Sequence, residues 1–143
     1  MTDCIFCKIA SGAAPARKVY EDEFVVAFLD NAPIVPGHVL VIPKKHIVWY
    51  TDLTPAEAGP FSKALYLVAR QVQKASSAKF VNVLIRGTRI PHLHAHLIPK
   101  LTGQESTFDK VLDLHQFIQT KHHHKLEDAV LDQIAKRVLD ATM

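Results

Sequence analysis

The sequence predicts an α+β domain: an antiparallel sheet with one long helix and an additional C-terminal helix. Three observations carry that prediction. Short apolar, β-branched segments lie on both sides of a single long stretch of helical periodicity, residues 54–76. Strands grouped on either side of one helix, without strict strand–helix alternation, favour an antiparallel sheet. The last short segment, "PHLHAHLIPK" (91–100), alternates His92, His94 and His96 with Leu93, Ala95 and Leu97, the two-residue period of a strand.

In chain order, residues 4–10 form a short helix carrying both cysteines. "KVYED" (18–22) and "EFVVAFLD" (23–30) read as two strands turning at Asp22–Glu23. "NAPIVPGH" (31–38) is rich in turn residues, and "VLVIP" (39–43) is a buried strand. Thr54, Pro55 and Glu57 occupy the N-cap, N1 and N3 positions of a capping box. The helix they start runs to about Ser76 with Leu65, Val68, Ala69 and Val72 on its apolar side, and Pro60 is expected to delay or kink its first turns. "KFVNVLIRG" (79–87) is a strand joined to the histidine strand by a tight connection at 87–89. Leu126, Val130, Ile134 and Val138 recur at four-residue steps, as in an amphipathic helix.

At 143 residues and 48% hydrophobic, the chain suffices for one domain with a substantial core, spanning 1–143. Its main body is about 3–103 and its helical extension about 104–143. A net charge of +3 with scattered Lys and Arg suits a small anionic ligand and gives no footprint for specific nucleic-acid binding. The N-terminal residues have no signal-peptide pattern, and no apolar run approaches a membrane span. The two cysteines form a single C-x-x-C, which argues against a secreted disulfide framework. A cytoplasmic location is the expectation.

Three imidazoles on one strand face, successive ones ~6–7 Å apart, suit two chemistries. Neutral imidazoles can ligate zinc. Alternatively, one can attack phosphorus to form a phosphoramidate while its neighbours donate to the phosphate oxygens. A third reading is a solvated polar face that happens to be histidine-rich.

"PHLHAHLIP" matches the His-φ-His-φ-His-φ-φ pattern, φ being apolar, of the histidine-triad (HIT) superfamily. "DCIFCKI" (3–9) and "EDEFVVAFLDNAPIVPGHVLVIPKKHI" (21–47) precede it in the order of the Hint-like branch. The chain therefore resembles that family over roughly residues 3–100. The resemblance implies a five-stranded antiparallel sheet, a homodimer, and a nucleotide hydrolase or nucleotidyl transferase working through a nucleotidyl-histidine. Purine nucleoside phosphoramidates or dinucleoside polyphosphates would be the substrates. His94 would be the nucleophile and His96 a donor to phosphate oxygen. Asp30 would accept from the ribose hydroxyls, with Phe6, Ile9, Phe28 and Leu29 walling the base, although each of these four is equally readable as plain core. Many relatives carry a hydroxyl residue three positions ahead of the first histidine. Here that position is Arg89, and Thr88 is one residue out of register. Arg89 either neutralises phosphate charge with its fork of donors or points to solvent.

The same resemblance, to bacterial relatives with an N-terminal C-x-x-C, implies a structural zinc ion held by Cys4, Cys7, His46 and His92. The alternative is a reduced, packed cysteine pair with His46 bonded to the triad. His38 reads as a structural residue, and His122–His124 as a solvated loop or helix end. Two rival functions remain at this level: a zinc hydrolase using all three triad histidines as ligands, and a catalytically weak nucleotide-binding or interaction module.

Overall fold

The structure, a computed structural model, describes residues 3–85, 89–101, 129–130 and 132–134. The chain divides into two compact units, 1–107 and 108–143. In the second, Ala129, Val130, Asp132, Gln133 and Ile134 are helical; the rest of the expected C-terminal helix lies outside the described residues, as do Gly87, Thr88 and His122–His124.

The first unit is an antiparallel sheet crossed by helices on its two faces. The short helix α1 covers Ile5–Ala10. Strands β1 (Lys18–Glu21), β2 (Val25–Leu29) and β3 (Val39–Pro43) follow, then α2 (Pro55–Ser76), β4 (Val81–Ile85) and β5 (Ala95–Pro99). Spatial order is β1-β2-β3-β5-β4, with every neighbouring pair antiparallel. The five-stranded expectation is met, and β3 has the predicted bounds.

Alternation along the strands sorts side chains into two cores. Val25, Ala27, Val39, Val41, Ala95 and Leu97 meet Phe61, Ala64, Val68 and Val72 of α2. Val26, Phe28, Leu40 and Ile42 point the other way, against Phe6 and Ile9 of α1. His96 stands opposite Leu40 in the β3–β5 ladder, so it shares the α1 face.

Pro60 lies inside α2 without delaying its start at Pro55. The Glu57 carboxylate accepts from Thr54 N–H at 2.9 Å and Thr54 Oγ1 at 2.8 Å, while Lys45 Nζ reaches its other oxygen at 2.8 Å. The turn between β1 and β2 is built by Asp22, whose Oδ1 accepts from the amides of Phe24 (2.8 Å) and Val25 (2.9 Å).

One expectation is corrected. The histidine strand does not run the length of residues 91–100: the β3–β5 and β4–β5 ladders both end at Ala95, leaving His92 and His94 ahead of the strand. The backbone there bonds elsewhere. Leu93 N–H donates to the Ile47 carbonyl and His92 N–H to that of Ile90, at 2.6 and 2.7 Å. Nor is the histidine side solvated: His92 and His94 are buried.

Candidate functional site

On the α1 face, a cavity of about 370 Å³ is lined by His94, His96, Asp30, Arg17 and Arg89, with an apolar wall that includes Phe6 and Phe28. Ile9 and Leu29 line it too, so every nucleotide-site residue expected from the sequence borders this one cavity. A larger groove, about 570 Å³, lies between α2 and the sheet, but no titratable side chain lines it and it offers no chemistry.

Each histidine near the cavity is held differently. His94 Nδ1 lies 2.7 Å from the carbonyl oxygen of His92. A carbonyl only accepts, so Nδ1 carries the proton and the Nε2 lone pair is left free. Phe6 packs edge-on against the His94 ring with centroids 5.1 Å apart, and the His94 and His96 rings are 5.1 Å apart.

The orientation of His96 is set by a residue that the sequence reading placed as structural. His38, buried next to β3, has its Nε2 3.0 Å from His96 Nδ1. The Ile34 amide donates to His38 Nδ1 at 3.3 Å, so Nε2 is the protonated nitrogen and donates to His96. His96 Nδ1 then accepts, which places the ring proton on its Nε2. The Asp30 carboxylate lies 3.4 Å from His38 Nδ1. Burial pushes the His38 pKa down while Asp30 opposes that shift, so the neutral ring of this relay is favoured. Only the two-residue period shared by His38 and Leu40, whose partner across β3–β5 is His96, could have signalled this contact from sequence.

The third histidine belongs to another cluster. His92 Nε2–H donates to the Pro43 carbonyl at 2.9 Å, which turns the Nδ1 lone pair toward sulfur. Cys4 Sγ and Cys7 Sγ each lie 3.5 Å from His92 Nδ1, and Cys7 Sγ lies 3.2 Å from His46 Nδ1. Ligand atoms of Cys4, Cys7, His46 and His92 all fall within 4.8 Å of one another. A tetrahedral zinc shell with these bond lengths separates its ligand atoms by roughly 3.3–3.8 Å, so the donor set and spacing fit zinc. Burial, assisted by His46 and His94, lowers the His92 pKa against the opposing Pro43 bond. A neutral ring is the form that ligates metal. Among the described residues, His92, His94 and His96 form no common metal cluster, because their rings have different partners.

Arg89 is exposed at the rim of the cavity. Asp30, besides facing His38, accepts the Ala32 amide at 2.9 Å through Oδ1. It therefore shapes the turn after β2 as well as the cavity.

Known proteins share this fold. The family model for the HIT domain matches residues 11–103. Protein hit of Bacillus subtilis is 36% identical over 143 residues, covering 95% of this chain and 94% of its own. The adenosine 5'-monophosphoramidase HNT1 of Saccharomyces cerevisiae is 36% identical, with 82% of each chain covered. Adenylylsulfatase HINT3 of Arabidopsis thaliana is 34% identical over 68% of this chain and 52% of its own. Among solved structures, a HIT family protein of Bacillus subtilis superposes with a TM-score of 0.81 at 29% identity, covering 99% of both chains. A zinc-bound histidine triad family protein of Mycobacterium smegmatis gives 0.69 at 35% identity, over 74% of this chain and 81% of its own. A triad signature set on this sheet, and matched by family model and by relatives over nearly the whole chain, admits one conclusion: the protein belongs to the HIT-domain family.

Proposed function

We propose that the protein is a nucleotide hydrolase or nucleotidyl transferase that works through a nucleotidyl–His94 intermediate on purine nucleotides. The observation that carries this reading is the bond from His94 Nδ1 to the His92 carbonyl, which leaves Nε2 as a nucleophile in a cavity shared with His96. Relatives named as adenosine monophosphoramidase and adenylylsulfatase support the substrate class.

In this mechanism the base lies against Phe6, Ile9, Phe28 and Leu29, and the ribose hydroxyls donate to Asp30. His94 Nε2 attacks the α-phosphorus; a P–N bond forms and the bond to the leaving group breaks. His96 Nε2–H, held outward by His38, donates to a phosphate oxygen as charge redistributes. Water then attacks phosphorus, the P–N bond breaks, and the nucleoside monophosphate leaves. Cys4, Cys7, His46 and His92 would hold zinc, which in a closed four-ligand shell supplies structural cross-linking only. We also infer a homodimer, for which β4 is the natural seam: it is an edge strand bearing exposed Val83 and Ile85.

The test is His94→Asn on purified protein. Turnover should fall by about three orders of magnitude or more, with AMP affinity kept within roughly tenfold, because covalent catalysis is lost and binding is not. Mass spectrometry of acid-sensitive adducts should find nucleotidylated His94 in the wild type only. Residual activity above ~10% overturns the nucleophile assignment, and inactivity of the wild type on every nucleotide leaves a binding module instead.

A further inference from the structure

We propose that this site favours nucleotide substrates whose leaving group is itself an anion, a phosphate chain or a sulfate, over those that release an amine. The inference rests on the nucleotidyl-transfer reading above and narrows its substrate.

Fixed charge around the cavity is the first observation. Among the described residues, two guanidiniums, Arg17 and Arg89, line it against a single carboxylate, Asp30. Neither arginine side chain has a hydrogen-bond or ion-pair partner among the described residues, whereas Lys8, Lys18, Lys44 and Lys45 are each paired with a carboxylate. Asp30 already accepts the Ala32 amide and faces His38. Two uncommitted forks thus border a cavity whose lining, among the described residues, carries a single acid. A guanidinium matches a phosphate or sulfate edge with two parallel donors, and repels a protonated amine.

Proton supply is the second observation, and it points the same way. Among the described residues lining the cavity none carries a hydroxyl. When His94 Nε2 attacks, the P–N bond forms, the P–O or P–N bond to the leaving group breaks, and the electron pair departs with that group. Sulfate or a phosphate chain keeps the pair as an anion and requires no proton. An amine departs only if a proton reaches its nitrogen. The guanidiniums hold their protons, and His94 is consumed as the nucleophile, so among the described lining residues His96 alone would have to supply it. The described lining of the cavity is therefore equipped to receive negative charge and poorly equipped to donate protons.

The experiment compares kcat/KM of the full chain for adenylyl sulfate, diadenosine tetraphosphate and adenosine phosphoramidate. Wild type, Arg89→Ala, Arg89→Lys and Arg17→Ala are each measured at low and high salt. Both anion-releasing substrates, or the one whose shape fits, should exceed the phosphoramidate. That ratio should drop about tenfold in Arg89→Ala, the scale of one charge-assisted bond at an exposed rim. It should drop less in Arg89→Lys and Arg17→Ala, and should shrink with added salt. The rank of sulfate against tetraphosphate identifies which anion is read. Preference for the phosphoramidate in the wild type, or a ratio unmoved in both alanine variants of unchanged melting temperature, overturns the proposal. If nucleotidyl-His94 still forms in that case, only the leaving-group inference fails. If no substrate yields the adduct, the underlying reading fails and the inference with it.

Discussion

His92, His94 and His96 are two residues apart in sequence and have three different sets of partners. The ring of His92 faces thiols, that of His94 is fixed by a backbone carbonyl, and that of His96 is backed by His38. The spacing alone identified the row and left zinc ligation and phosphoryl attack both open, because a repeat of that kind is a local signal. It could not assign the partners of His92 and His96, which come from residues 49, 58 and 88 positions away in the chain. His38 was missed for that reason. Asp30 shows the same limit, since one carboxylate serves both a turn and the cavity. Ionised, it can accept from both ribose hydroxyls but gains only one bond from a 2′-deoxy sugar. Leaving that site unpaired costs ~1–3 kcal/mol, so AMP should bind roughly 5- to 150-fold more tightly than dAMP. Asp30→Asn retains an acceptor for the Ala32 amide while replacing the other oxygen by a donor. It should therefore erase the sugar preference with little loss of stability, whereas Asp30→Ala loses both. Calorimetry with the two nucleotides decides this, and equal affinities in the wild type would show that Asp30 does not read the sugar.

Elements were legible in proportion to how local their determinants are. The bounds of α2 follow from Thr54, Pro55 and Glu57 at its start and from its apolar stripe, and the structure returns both. The start of β5 was not legible, because it depends on where Ile47 and Ile90 offer carbonyls to the chain. Capping of α2 has a measurable pH signature. The bond from Lys45, then those from Thr54, hold the Glu57 carboxyl at about 2, below its ordinary 4.5. A folded-state pKa below the unfolded one stabilises fully above about 4.5, and that contribution disappears as pH falls toward about 2. Glu57→Gln should therefore melt lower than wild type at neutral pH, with the gap closing across that acid window. A gap that stays constant down to the lower limit would mean the carboxylate charge contributes nothing to the helix start.

At the scale of the whole molecule, the question is what keeps α1 on the sheet. It is six residues long and buries only Phe6 and Ile9, and so short a helix is not stable alone in water. The thiols of its N-cap residue Cys4 and of Cys7 lie against His46, beyond β3, and His92, ahead of β5. A zinc ion there would cross-link three distant stretches of chain, and its binding free energy would count toward folding. Untagged protein should contain about one zinc per chain, and Cys4→Ser should lose it. Chelation should lower the melting temperature by at least about 5 °C, the scale of a kcal/mol or so in a domain this size. The kinetic consequence is asymmetric. α1 supplies Phe6 and Ile9 to the cavity wall proposed to hold the base, whereas His94 is oriented by a backbone carbonyl and His96 by His38. Stripping the metal should therefore raise KM before it lowers kcat per folded molecule. Loss of kcat at unchanged KM would instead place the metal in the chemistry, and protein without zinc, with Cys4→Ser melting as wild type, would remove the metal from the account altogether.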